Sequence, residues 1–241
     1  MFKKRIVACL DIKESKVVKG VNFVDLTDIG DPYLYAIEYE DQGADEIVLL
    51  FIDGKIDFDL INSIASVMSI PVTVGGGIRS MDDVRKVIES GASRISINTA
   101  AVENPDLIRK ASAEIGSHNV IVAIDGKKVT GEPIVFTKGG QNNTGINLVE
   151  WAKKCQDLGA GEILLTSMDK DGTNSGYDIE MTNAVCEAVT ITVVASGGCG
   201  SADDVAEVFS KTTCDAALVA GVLHYGTTTI SKIRARINEE G

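Results

Sequence analysis

The sequence predicts a single α/β domain folded as a (β/α)8 TIM barrel, on three observations. The length of 241 residues is close to the ~250 residues typical of one such barrel. Short apolar runs alternate with helix-like segments along the whole chain, a pattern typical of parallel sheets covered by helices. A buried-strand pattern that leads into an aspartate and a lysine, at residues 7–13, returns half a chain later at residues 122–128.

Other segments repeat with a similar spacing. Residues 74–84 resemble residues 195–205, and residues 46–50 resemble residues 162–166. The spacing drifts by a few residues, as expected when strands correspond and loops differ in length. We interpret the pattern as an internal duplication within one domain, residues 1–241, whose half-barrels are about 1–115 and 116–241.

The first half begins with a strand at about residues 5–10. The unusually long connection at 13–30 carries Lys16 and Lys19 and predicts a mobile functional loop. Asp31 and Pro32 form a helix start, an N-cap followed by proline, and this helix runs to about Gln42. The later strands are predicted at 46–51, 72–74 and 95–97, and a capping box at residues 80–83 starts another helix.

The second half repeats this order. Its strands are predicted at about 120–125, 162–166, 193–196 and 216–220. Small residues stand at the strand ends at equivalent places: Gly76 and Gly77, Asn98 and Thr99, Gly197 and Gly198, and Ala220 and Gly221.

Composition excludes several classes of protein. The net charge of −12 argues against nucleic-acid binding, which needs a basic face. Apolar runs are too short for a membrane helix or a signal peptide, so we expect a cytoplasmic protein without membrane contact. Five cysteines without a C-x-x-C pair favour small buried side chains over disulfides or a zinc site. No metal or other cofactor is implied.

The glycine-rich turns indicate anion binding. Glycines between a strand and a helix let backbone N–H groups approach a phosphate. Each turn alone is explained equally well as a tight connection without a ligand. Two at symmetric positions around one mouth suggest an elongated ligand with a phosphate at each end.

Asp11 and Asp125 would face each other between those phosphate sites. Two carboxylates suit general acid and base catalysis, with one aspartate withdrawing a proton and the other donating one. The sequence does not say which is which, and either could instead cap its own loop. His118 and His224 are interpreted as structural or surface residues.

At this point the chain resembles the cyclase subunit of imidazole glycerol phosphate synthase, the HisF family. The resemblance covers nearly the whole chain. It is carried by ACLD at 8–11, VVKGVNF at 17–23, VGGG at 74–77, SINTAA at 96–101, VAID at 122–125, LTSMDKDGT at 165–173 and ASGG at 195–198.

The resemblance implies a heterodimer with a glutaminase, HisH, whose ammonia crosses the barrel and attacks the bis-phosphorylated nucleotide PRFAR. The products would be imidazole glycerol phosphate and AICAR. It implies Asp11 and Asp125 as the acid and base pair. The residues implied to bind substrate or phosphate are Lys19, Gly76, Gly77, Asn98, Thr99, Thr166, Asp171, Gly172, Gly197, Gly198, Ala220 and Gly221. Those implied to form an ammonia gate are Arg5, Glu46, Arg94 and Glu162.

Several residues depart from the family pattern. Phe51 stands where the family carries an aspartate at the mouth, and Phe51→Asp is expected to improve substrate affinity if the pocket is merely damaged. Ser93 and His118 replace an aspartate and a glutamine near the partner surface. Besides a working cyclase, these departures leave open a paralogue with another ammonia acceptor and a weakly active, degenerate or engineered scaffold.

Overall fold

The computed structural model describes residues 4–21 and 24–240, and side chains within these ranges except those of 19–21, 24–27 and 240. The strands are β1 (Arg5–Lys13), β2 (Lys16–Val21), β3 (Val24–Gly30), β4 (Glu46–Phe51), β5 (Val72–Gly75), β6 (Arg94–Ile97), β7 (Val120–Val129), β8 (Glu132–Thr137), β9 (Asn142–Asn147), β10 (Glu162–Ser167), β11 (Thr192–Ser196) and β12 (Ala216–Val219). The helices are α1 (Pro32–Asp41), α2 (Phe58–Ala65), α3 (Met81–Glu89), α4 (Thr99–Glu103), α5 (Asp106–Ile115), α6 (Leu148–Asp157), α7 (Ile179–Ala188), α8 (Ala202–Lys211), α9 (Gly221–His224) and α10 (Ile230–Glu240).

Eight of these strands form a closed parallel barrel, which confirms the predicted fold class. Their order around the barrel is β1, β4, β5, β6, β7, β10, β11 and β12. The pairing of β12 with β1 closes the ring, with Arg5 opposite Ala216. Since all the strands point the same way, their carboxyl ends meet at one mouth, where barrels of this kind carry their sites.

Alternating side chains divide the apolar residues into two cores. The larger core lies between the strands and the helices and includes Ile6, Leu10 and Ile12 of β1. The smaller core lies inside the barrel and consists of strand residues, Val7, Cys9, Val48, Val194, Ala216 and Leu218. Because side chains alternate along a strand, Asp11 belongs to the inward-facing set with Val7 and Cys9.

The prediction of a loop at residues 13–30 is wrong, because most of this segment forms strands. Strand β1 continues into an antiparallel hairpin, β2 and β3, and Lys16 pairs with Asp28 across it at 3.1 Å. Val17 and Val18 of β2 are both buried, and these β-branched residues favour a strand that the surrounding glycine, aspartate and lysine residues obscured. A second hairpin, β8 and β9, extends β7 in the same way and was not predicted.

Local features recur in the two halves. Ser80 caps α3 and Asp83 closes the predicted capping box, while Ser201 caps α8 and Asp204 accepts the Gly200 N–H at 2.8 Å. Asp31 caps α1 ahead of Pro32, as predicted. The half-barrel duplication stays a prediction that these recurrences favour.

The five cysteines are free thiols, as expected, and three of them are buried. His118 is exposed, and His224 Nδ1 lies 2.7 Å from the Tyr39 hydroxyl. None of the described helices is long and apolar enough to cross a membrane.

Candidate active site

Asp11 and Asp125 lie at the same mouth on opposite walls. Asp11 ends the barrel part of β1, and Asp125 holds the equivalent place on β7, four strands away in a ring of eight. Asp125 pairs in register with Thr166 of β10. The Cys9 thiol lies 3.8 Å from Asp11 Oδ1. The structure thus brings the two predicted carboxylates to the same end of the barrel.

The environment of Asp125 changes its acidity. Burial raises the pKa of Asp125 to about 6, a hydrogen bond from Asn98 opposes this rise, and the nearby Asp171 carboxylate adds to it. The Asn98 bond runs from Nδ2 to Asp125 Oδ2 at 2.8 Å. Asn98 Oδ1 is buried and accepts no hydrogen bond from the described residues. An aspartate of this acidity can give or take a proton near neutral pH.

The first glycine-rich turn follows β5. Gly76 and Gly77 have φ values of 80° and 84°, which residues with a side chain rarely adopt. A Cβ on Gly76 would lie 2.1 Å from the Phe51 carbonyl oxygen, and one on Gly77 would lie 2.5 Å from the Gly54 carbonyl oxygen. These glycines therefore let neighbouring loops of the mouth pack together.

The second glycine-rich turn follows β11 and repeats this geometry. Gly197 and Gly198 have φ values of 88° and 100°. A Cβ on Gly197 would lie 2.7 Å from the Ser167 carbonyl oxygen, and one on Gly198 would lie 2.2 Å from that of Gly176.

The other predicted substrate residues lie around the same mouth. Thr99 begins α4, and its Oγ1 accepts the Lys138 N–H at 2.9 Å. Because this hydroxyl oxygen accepts from the β8–β9 turn, its own hydrogen is left to donate elsewhere. Ala220 stands at the N-cap position of α9, which Gly221 begins.

The loop after β10 carries two more of them. The Asp171 N–H donates to the Ser167 carbonyl oxygen at 2.9 Å, and Gly172 has a φ of 73°. The Lys19 side chain lies outside the described residues.

The four predicted gate residues form one ion network at the opposite end of the barrel. Arg5 binds Glu46 at 2.6 Å and Glu162 at 2.5 Å. Arg94 binds the same two carboxylates at 3.0 and 3.1 Å. We call these four residues the charged ring. The charged ring lines the bottom of a depression of about 330 Å³, which opens to solvent at the end of the barrel opposite the mouth.

Burial and neighbouring groups shift the acidity of Glu46 in the charged ring. Burial raises the pKa of Glu46; Arg94, the Thr73 hydrogen bond and Arg5 oppose this rise, and Glu162 adds to it. Thr73 donates from Oγ1 to Glu46 Oε1 at 2.5 Å. Sequence reasoning missed Thr73, although a polar residue between two buried valines of a short strand is a usable signal.

The departures from the family pattern take different positions. Phe51 is 2% exposed and packs in the core between strands and helices, so the expectation that its side chain stands at the mouth in place of the family's aspartate is wrong. It faces away because Leu50, its neighbour on β4, takes the inward position. His118 and Ser93 line the depression below the charged ring, and the His118 carbonyl oxygen accepts from Arg94 Nε at 3.0 Å.

Comparison with known proteins identifies the family. The model of the histidine biosynthesis protein family matches residues 5–229. The imidazole glycerol phosphate synthase subunit HisF of Lactococcus lactis subsp. cremoris strain SK11 is 57% identical over 244 residues, covering 98% of this chain and 94% of the relative. The HisF subunits of Saccharolobus solfataricus and Sulfolobus acidocaldarius are each 51% identical over 246 residues, covering 100% of this chain and 98% of each relative. The chain therefore belongs to the histidine biosynthesis family and, within it, to the HisF subunits of imidazole glycerol phosphate synthase.

Proposed function

We propose that this chain is the cyclase subunit of a cytoplasmic imidazole glycerol phosphate synthase. It would form a heterodimer with the glutaminase HisH, take up its ammonia, and convert PRFAR to imidazole glycerol phosphate and AICAR. Family membership supports the activity. The observation that carries the site assignment is the pair of aspartates on opposite walls of one mouth, one of them with a raised pKa.

Asp125 is the better candidate for the general acid. Closing an imidazole ring from a ketone and ammonia expels water, so an oxygen must gain a proton while a nitrogen loses one. A carboxyl group whose pKa is about 6 keeps a protonated fraction near neutral pH and can supply that proton. Asp11, on the opposite wall, is then positioned to act as the base.

The two glycine-rich turns support binding of a ligand with a phosphate at each end. The first phosphate would be held by Gly76, Gly77, Asn98 and Thr99. The Thr99 hydroxyl accepts the Lys138 N–H, which leaves its hydrogen free to donate to that phosphate. The second would be held by Asp171, Gly172, Gly197, Gly198, Ala220 and Gly221. Lys19 and Thr166 would contact the substrate between them.

The charged ring and the apolar interior support a route for ammonia. Between the ring and the aspartates, the barrel interior is lined by aliphatic side chains and Cys9. Neutral ammonia crosses such a lining at little cost, whereas ammonium would lose its hydration. Arg5, Glu46, Arg94 and Glu162 would close the entrance on the face where HisH docks.

The test is steady-state turnover of PRFAR with an ammonium salt as nitrogen donor and no partner, using Asp125→Asn as the blank. Turnover above the blank is expected. Turnover at the blank level from a folded chain would refute the cyclase and favour a paralogue with another acceptor or an inactive scaffold.

A further inference from the structure

One arginine of the last helix, α10, binds the end of the barrel that carries the charged ring. Arg234 of α10 donates from Nη1 to the Lys4 carbonyl oxygen at 3.0 Å. Its Nη2 donates to the Gly43 carbonyl oxygen at 3.0 Å and pairs with the Asp45 carboxylate. The Arg234 and Asp45 side chains are 20% and 16% exposed, so solvent and salt screen this ion pair less than a surface pair.

Two of these contacts, those with Lys4 and Asp45, lie beside residues of the charged ring. Lys4 precedes Arg5, and Asp45 precedes Glu46. On the other side of Arg5, the Ile6 N–H donates to Asp45 Oδ2 at 2.8 Å, and the Asp45 N–H donates to the Ile6 carbonyl oxygen at 2.9 Å. Arg234 and Asp45 together therefore fix the starts of β1 and β4 around the Arg5–Glu46 ion pair.

The Glu162 side of the ring is supported differently. Gly161 precedes Glu162 and donates its N–H to the Val120 carbonyl oxygen at 3.0 Å. A Cβ on Gly161 would lie 2.3 Å from the Ser117 carbonyl oxygen, so close backbone packing fixes this side. Removing the Arg234 side chain would leave this packing intact and loosen the Arg5 side alone.

We propose that Arg234 is a positioning residue for the charged ring. It acts through Lys4 and Asp45 to align Arg5 with Glu46, and so sets how completely the ring passes ammonia from the partner to the mouth. This inference rests on the proposed function, in which ammonia enters through the ring. Arg234 makes no direct contribution to the chemistry at Asp11 and Asp125, which lie at the other end of the barrel.

The test compares Arg234→Met with the unaltered chain, each in complex with its glutaminase subunit. One measurement is imidazole glycerol phosphate formed per glutamine hydrolysed. The other is turnover with ammonium chloride, which reaches the mouth from solvent. We expect the product per glutamine to fall by about two- to thirtyfold, the range of coupling changes that such networks show. Ammonium-driven turnover should stay at the level of the unaltered chain.

Two further variants separate positioning from a general structural effect. Arg236→Met removes an arginine of the same helix whose Nε lies 2.5 Å from exposed Asp203, and it should keep the product ratio. Arg234→Lys keeps a positive charge beside Asp45 but lacks the guanidinium group that binds several acceptors at once. It should give an intermediate amount of product per glutamine. Arg234→Lys alone decides the question if Arg234→Met does not fold.

Three results would overturn the inference: an unchanged ratio in folded Arg234→Met, an equal loss in both measurements, or an equal loss in Arg236→Met. The proposed function fails separately, if the unaltered chain shows no ammonium-driven turnover.

Discussion

Asn98 donates a hydrogen bond from Nδ2 to Asp125 Oδ2 at 2.8 Å, joining the ends of two adjacent barrel strands. This bond favours the charged carboxylate, while burial and Asp171 favour the protonated one. The balance leaves the pKa of Asp125 at about 6, which is where proton exchange near neutral pH is most effective.

Asp125→Asn should abolish cyclisation and stabilise the fold. The pKa of Asp125 is raised from an unfolded value of about 3.9, so the folded chain binds more protons between that value and about 6. Stability is therefore lost as the pH rises through this window. Removing the ionisable group should raise the free energy of unfolding at pH 7 by about 1–3 kcal/mol, measured by urea unfolding.

The same stabilisation should shrink as the pH falls to about 5, because Asp125 in the folded chain is then mostly protonated and no longer buries a negative charge. Asp106→Asn is a suitable control, since burial does not raise the pKa of Asp106 above its usual value and its neighbouring cations lower it. A destabilised Asp125→Asn chain at pH 7 would contradict the assigned burial penalty.

Two neighbours of Asp125 should move its pKa in opposite directions. Asn98→Ala removes a bond that lowers the pKa, so the pKa should rise above about 6. Asp171→Asn removes a nearby negative charge, so the pKa should fall. Carbon-13 NMR titration of the Asp125 carboxyl group measures both, independently of activity. Shifts in the same direction would show that the three groups do not interact as the geometry indicates.

Much of the fold was predictable because strand ends and helix starts carry local signals. Asp31 with Pro32, and Ser80 with Asp83, are helix starts that depend on neighbouring residues alone, and they lie where expected. Neither hairpin was foreseen, and the first was missed because residues 13–30 were interpreted as a loop rich in glycine, aspartate and lysine. Their pairing depends on the preceding barrel strand, which extends beyond its apolar run.

The candidate site was predictable as a set of positions and less so as a set of contacts. Asp11 and Asp125 follow apolar runs, and closure of the barrel places them at one mouth. The direction of the Phe51 side chain depends on the register of β4. The family's aspartate at that position does not reveal this register, so the direction could not be predicted from the sequence. The Asn98–Asp125 bond joins different strands, so no local pattern reports it.

Thr73→Val should weaken the charged ring. The Thr73 hydroxyl is buried and donates to Glu46 Oε1, and valine has nearly the same shape without a donor. Losing a hydrogen bond to a buried charged group should cost about 1–3 kcal/mol of unfolding free energy. Thr73→Ser, which keeps the hydroxyl, should retain more of that stability. Equal stability of Thr73→Val and the unaltered chain would show that Arg5 and Arg94 suffice to hold Glu46 without the Thr73 hydroxyl.

Phe51→Asp should destabilise the chain and give no gain in substrate affinity. The Phe51 ring is 2% exposed in the core between strands and helices, so the substitution loses packing and buries a carboxylate. We expect a loss of more than about 4 kcal/mol, from the cavity and the unpaired charge together. Phe51→Leu should cost less, and urea unfolding of both variants measures the difference. A stable Phe51→Asp chain with tighter substrate binding would instead place residue 51 at the mouth.

Gly76→Ala should cost far more than Gly131→Ala, because only one of them meets the backbone of another loop. Both glycines have positive φ, 80° and 91°, so alanine carries a similar conformational penalty of about 1–2 kcal/mol at each. A Cβ on Gly76 would lie 2.1 Å from the Phe51 carbonyl oxygen, whereas none of the described atoms lies within 4 Å of one on Gly131. Urea unfolding should therefore show an additional loss of about 1–3 kcal/mol for Gly76→Ala, in the range of overpacked sites. Because the same contact joins the loops after β4 and β5, Gly76→Ala should also raise the KM for substrate, while Gly131→Ala leaves it unchanged. Equal losses of stability in the two variants would mean that the loops separate freely, and Gly76 would then serve the ligand rather than the packing of the mouth.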